Sequence, residues 1–285
     1  MAVLLALLAS ALWGTSDFLG GTATRRLPVG SVVGFSQLFA LLALVPLAAV
    51  LGAFSQDRAY VVPGVLAGLA GMTALAAFYR ALATGTMGVV APIAALGVVV
   101  PVAVGVVSGE RPSGLQVAGI VLAVAGVVLA SGPELSGRGR GGLPPLLLAV
   151  GSALGFGAVF VLIAEGSEDG GLDAVVMVLL TMRLTSVAVL TVLLLAVLRR
   201  RGPETGVRRV DLRVLLAIGM FDVGANAAFA IAAQSDLISV TSVLASLYPV
   251  VTVMLARRFH AERLAAVQLV GVSGALVGVV LLAGG

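Results

Sequence analysis

Cysteine and lysine are both absent from this sequence, and histidine occurs once, at His260. The first absence excludes disulfides and thiolate metal sites. The second removes Schiff-base chemistry, which needs a lysine amine. With one histidine and no carboxylates clustered within a hydrophobic run, no metal site has a ligand set, and no cofactor is expected. Charge and aromatic rings are scarce as well, at 11% and 5% of residues. All 17 basic residues are arginine. Most of them fall in short connectors rather than on a folded basic face with stacking aromatics, so nucleic acid is not an expected partner.

Hydrocarbon is what the chain has in excess. Sixty percent of its residues are hydrophobic and its mean hydropathy is +1.18, far outside the range of a soluble domain. A helix needs about 20 apolar residues to cross roughly 30 Å of hydrocarbon. Ten stretches qualify as an all-α membrane domain: Ala2–Ala23, Pro28–Ala53, Tyr60–Ala83, Thr86–Ser108, Ser113–Ser131, Leu143–Ala164, Leu172–Leu198, Val214–Gln234, Leu237–Ala256 and Ala265–Ala283. The runs are continuously apolar rather than alternating, which argues against a membrane barrel. Met1 leads straight into apolar residues with no basic segment before them, so the first run is expected to stay as a span rather than be cleaved as a signal.

The chain also repeats itself. Shifted by 152 positions, Glu262–Gly284 lies over Glu110–Gly132 without a gap, matching Glu262-Arg263 to Glu110-Arg111, Gln268 to Gln116, Gly271 to Gly119 and Gly278 to Gly126. Upstream the shift becomes 151, and Ala225 to Phe229 lies over Ala74 to Phe78. The expected organisation is a first five-helix unit over 1–132, a linker over 133–142 and a second unit over 143–285. An odd number of crossings sends the second unit in from the opposite face, which is the inverted repeat of many secondary transporters. The glycine-rich linker lacks a Gly-Lys-Ser/Thr ending and follows no strand, so it is not read as a phosphate loop.

Charge sets the expected orientation. Thirteen arginines fall in connectors that share one side, against Arg58 and Arg111 on the other. Positive charge stays cytoplasmic, which predicts both termini outside a multi-pass protein of the inner (plasma) membrane.

Four features together resemble the drug/metabolite transporter superfamily and its ten-span EamA-type members. They are the Trp13-Gly14 pair, the Gly109-Glu110-Arg111 and Ala261-Glu262-Arg263 turns, the Gln and Gly that follow each turn, and Pro249. The resemblance implies a transporter with a central cavity lined by the third, fourth, eighth and ninth spans. Relatives usually keep both termini in the cytoplasm, opposite to the charge count. An arginine often found in the second span of the family is Gln37 here, while its counterpart Arg183 is present.

Ionisable groups inside spans cost between about 2.5 and more than 10 kcal/mol depending on the method, and they face a bundle interior or a cavity. Trp13, Asp17 and Gly21 share one stripe of the first span. Asp17 is a candidate proton carrier, or else a partner for an arginine near the membrane surface. Arg183 and Asp222 lie at similar depth and are expected to pair, with Asn226 one turn from Asp222. Ser239, Ser242 and Ser246 form a small polar stripe in the ninth span that ends at Pro249. With Trp13 and Tyr79 these residues make the expected substrate site, and Pro92, Pro101 and Pro249 are gating candidates. Gly271-Val272-Ser273-Gly274 matches a serine-protease pattern but has no histidine within the membrane, so no catalytic residues are expected.

The expected function is secondary transport of a small organic metabolite by alternating access, with Asp222 or Asp17 coupling protons. Membrane lipids and the solute are the expected partners, and the assembly a monomer or homodimer. A flippase for lipid-linked or amphiphilic molecules is one alternative. A non-transporting scaffold, with Arg183 and Asp222 as a clamp between the halves, is another.

Overall fold

A computed structural model describes residues 2–55, 58–107, 113–135, 142–167, 171–201, 207–233 and 247–284. Among them every regular element is helical. Helices α1 (Ala2–Thr24), α2 (Val29–Leu51) and α3 (Val61–Thr84) form the first three spans. The fourth is divided into α4 (Met87–Ala95) and α5 (Val99–Val107), and α6 (Gly114–Leu135) is the fifth. The second copy follows as α7 (Leu143–Gly166), α8 (Gly171–Arg201), α9 (Arg209–Ala233), α10 (Tyr248–His260) and α11 (Ala266–Gly284). Six of these segments, in α1, α2, α3, α7, α8 and α9, are long and apolar enough to cross a membrane. The stretches within α6 and α11 that qualify as apolar are shorter.

Many small residues turn inward, alongside a few large buried side chains such as Phe78 and Tyr79, and many large apolar residues turn outward. Ala6, Ala9, Ala40, Ala67 and Ala149 are fully buried, while Val50, Val121 and Val192 are mostly exposed. That is the pattern of a bundle in lipid, where close backbone approach rather than expulsion of large apolar side chains holds helices together.

The inversion can be read from helix pairs that belong to equivalent positions in the two copies. Helices α6 and α11 cross so closely that a methyl on Gly126 would strike the backbone of Ala275, and one on Gly278 would strike that of Ala123. A methyl on Gly271 would meet Ala130. As the number rises along α6 it falls along α11, so the two equivalent helices run antiparallel. The same exchange recurs elsewhere. Gly68 of α3 backs onto the Met182 carbonyl and Thr185 of α8, and Gly219 of α9, 151 positions later, backs onto the Ser36 carbonyl and Phe39 of α2. Gly14 of α1 meets Tyr248 and Val251, while Gly157 of α7, 143 positions later, meets Gly97 and Val100, which lie 151 positions before Tyr248 and Val251. Gly30 and Gly34 of α2, by contrast, have open space around them.

The repeated glutamines have a local task. Gln116 accepts the Ser113 N–H at 2.9 Å while the Ser113 hydroxyl accepts the Gln116 N–H at 3.1 Å, a reciprocal cap at the start of α6. Gln268 accepts the Ala265 N–H at 3.0 Å at the start of α11. Both outer helices are therefore started by the same side chain at the same place.

The fourth span departs from the continuous helix expected over Thr86–Ser108. It tightens into a 3-10 turn at Leu96–Val98. Pro101 accounts for the position of the break by its residue type: it has no N–H to offer the carbonyl four residues back, that of Gly97. Pro92 lies inside α4 and is buried. Pro249 sits in the first turn of α10, where a missing N–H costs nothing, and that helix runs on to His260, past the expected end at Ala256.

Candidate functional site

Among the described residues, the middle of the bundle holds one guanidinium and two carboxylates. Arg183, on α8, is buried. Its Nη2 donates to Asp222 Oδ2 of α9 at 2.5 Å and its Nη1 donates to Gln37 Oε1 of α2 at 2.6 Å. Its Nε is buried and has no partner among the described residues. Asn226, one turn along α9, donates to the Asp222 carbonyl at 2.7 Å and lies 3.4 Å from Asp222 Oδ1. The expected pair is thus formed, but inside the second copy. The link between the copies is Gln37, which sequence reading treated only as a departure from the family.

Asp17 enters from α1. It is buried and close enough to Asp222 for their charges to act on each other. No cation or hydrogen-bond donor among the described residues reaches its carboxylate, so it does not pair with Arg25 near the membrane surface. Tyr79 of α3, also buried, meets the Ser16 side chain and lies within reach of the charges on Asp17, Asp222 and Arg183. Its ring lies against Gly20, where any methyl would collide with it. Trp13 stacks on Phe229 at 5.8 Å and meets Tyr248 edge-on at 6.5 Å. Asp17, Tyr79, Arg183, Asp222 and Asn226 are therefore brought together, with Trp13 beside them. Ser239, Ser242 and Ser246 lie outside the described residues. Tyr248 and Phe229 were not among the candidates, and only their place on the eighth and ninth spans pointed to them.

A cavity of about 160 Å³ leads from the Arg183 and Asn226 side chains between α2, α8 and α9, past Leu44, Leu51, Leu172 and Leu179. It opens toward the end where α2 finishes and α8 begins, the arginine-poor end. Ligand pockets begin at about 300 Å³, so a metabolite needs more room than this conformation gives.

The arginine-rich end is tied shut. Arg25 pairs with Glu262 at 3.1 Å, Arg26 pairs with Asp211 at 3.0 Å, and Thr22 bonds the His260 ring at 2.8 Å. Glu262 also accepts the Gly88 N–H at 3.4 Å. These ties join the end of α1 to α4, α9, α10 and the turn before α11. Deeper in, the Ser16 hydroxyl donates to the Ile218 carbonyl and the Thr252 hydroxyl to the Gly14 carbonyl, both at 3.1 Å. Asp211 does a second job, accepting the Arg208 N–H at 2.9 Å as the cap of α9.

Comparison with known proteins agrees with this architecture. The model of the EamA-like transporter family matches residues 1–132 and again 143–284. A crystal structure described only as that of a protein shares the fold, with a TM-score of 0.66 at 16% identity over 98% of this chain and 95% of the other. No curated protein sequence matches.

Proposed function

Because the chain belongs to the EamA-like transporter family, we propose that it carries a small organic metabolite across the plasma membrane by alternating access around Arg183, Asp222 and Asp17. The observation behind this reading is the charge balance in the middle of the bundle. Among the described residues two carboxylates, Asp17 and Asp222, act on each other, and the one guanidinium there, Arg183, pairs with Asp222 alone. A buried cluster of that composition is one positive charge short, which a proton or a cationic group on the substrate supplies. Arg183 Nε also has no partner among the described residues.

The mechanism follows from competition for that guanidinium. An anionic group on the substrate takes hydrogen bonds from Arg183 and displaces Asp222, which then takes a proton, since a buried carboxylate without its cation favours the neutral form. Substrate and proton are thus coupled through one ion pair, with Asp17 as the second proton carrier. Trp13 and Tyr79 supply an aromatic wall, Asn226 and the serine stripe add polar contacts, and Pro92, Pro101 and Pro249 are the places where helices give way. In this reading the arginine-rich end is cytoplasmic, both termini are outside, and the ties of Arg25 and Arg26 hold that end closed. A tag found in the cytoplasm at the carboxyl terminus contradicts the orientation.

Flux into proteoliposomes, screened over amino acids, nucleosides, sugars and cationic dyes, tests the function. Arg183→Gln and Asp222→Asn, inserted at wild-type levels, are expected to lose transport of whichever solute the wild type carries. Wild-type flux in both variants contradicts the mechanism. Movement of an amphiphile between leaflets with no solute flux favours the flippase, and no movement of either favours the scaffold.

A further inference from the structure

The arginine-rich end contains a cleft that the central cluster does not use. It measures about 580 Å³ and lies between α4, α10 and α11, lined by Gly88, Val253, Arg257, Arg263, Leu264 and Leu269. Arg257 and Arg263 are both exposed, and neither has an acidic partner among the described residues. The one carboxylate in the lining, Glu262, is already engaged: one oxygen holds Arg25 and the other accepts the Gly88 N–H. The cleft is therefore cationic on one side and hydrocarbon on the other.

Its position narrows the occupant. The last turn of α10 and the first of α11 both end here, so the cleft lies where spans meet the membrane surface. Phe259, 66% exposed, projects from the same turn with the Arg258 guanidinium 5.6 Å from its ring centre, an interfacial aromatic flanked by cations. A soluble anion finds no use for the Val253, Leu264 and Leu269 side of the cleft. A phospholipid fits both sides at once.

We propose that this cleft binds an anionic phospholipid, with its phosphodiester on Arg257 and Arg263 and an acyl chain along Val253, Leu264 and Leu269. Each arginine near an anionic membrane surface contributes enough to change affinity by roughly fivefold. The proposal does not depend on what the central cluster carries.

Native mass spectrometry of the full chain in detergent, titrated with phosphatidylglycerol or with phosphatidylcholine of the same acyl chains, tests it. The wild type is expected to retain phosphatidylglycerol in preference. Arg257→Gln and Arg263→Gln each reduce that preference by roughly fivefold, and together they abolish it. Arg258→Gln, outside the lining, leaves it unchanged, while Leu269→Glu removes it by placing a carboxylate in the cleft. Equal retention of the two lipids, or an undiminished preference in the double variant, overturns the proposal. Displacement of the lipid by millimolar glycerol 3-phosphate overturns it too, because the site would then be one for soluble phosphate compounds.

Discussion

Midway along the second span the first copy carries Gln37, and the matching place in the second copy carries Arg183. Where α9 presents Asp222 and Asn226, the first copy has Gly71 and Leu75. The packing contacts behave differently. Gly68 and Gly219, Gly14 and Gly157, and Gly126 and Gly278 keep equivalent neighbours in both copies. Duplication therefore preserved the close helix approaches, which the fold needs in both halves, and let the central polar residues diverge. A single guanidinium held by a neutral amide from the other copy avoids two like charges in the bundle's centre, where their repulsion would be poorly screened.

The largest effect is expected from breaking that asymmetry at its charged member. Arg183→Leu leaves Asp222 buried without its cation and should cost about 3–5 kcal/mol, read as a lower melting temperature in detergent. Arg183→Leu combined with Asp222→Leu should recover much of the loss. A double variant no more stable than the single one would show that the pair is not coupled.

Next come the shared contacts. Gly126→Ala and Gly278→Ala, each pressing a methyl onto the partner backbone, should destabilise alike by about 1–3 kcal/mol. Gly34→Ala, in open space on a helix, should be neutral or gain up to about 1 kcal/mol. Unequal losses at Gly126 and Gly278 would weaken the equivalence of the two copies. Removing the amide that Arg183 holds across the copies has an effect of the same order: Gln37→Leu gives up one hydrogen bond to a charged donor, worth about 1.5–3 kcal/mol.

The smallest expected effect distinguishes the two turns before the outer helices. Ala261 adopts the left-handed conformation, φ 51°, where the first copy has Gly109 in the matching position. Ala261→Gly should therefore stabilise by about 1 kcal/mol or less, the relief of strain being partly offset by the greater freedom of glycine when unfolded. A clear destabilisation in the same thermal assay would argue that the methyl is needed for packing.

How much of this could be read beforehand depended on the kind of signal. The repeat was legible because Glu262–Gly284 overlays Glu110–Gly132 residue by residue. Arg183 and Asp222 stood out because charges inside spans are costly and so few. Gln37 did not, since a buried amide costs far less than a charge and leaves no comparable mark. The tie between Arg25 and Glu262 joins residues 237 positions apart, one read as a connector charge and the other as part of a repeated turn, and only the closed end of the bundle brings them together. The division of the fourth span was foreshadowed by Pro101, but its place at Leu96–Val98 depends on the carbonyl four residues before the proline, to which the proline offers no N–H.

The central claim is that one buried ion pair couples substrate binding to a proton. Proteoliposomes loaded with a pH-sensitive dye measure it directly, once a transported solute is known. Wild type should shift the internal pH when that solute is added, and Asp222→Asn, inserted to the same level, should abolish the shift. A solute-evoked pH change of wild-type size in Asp222→Asn would contradict the account.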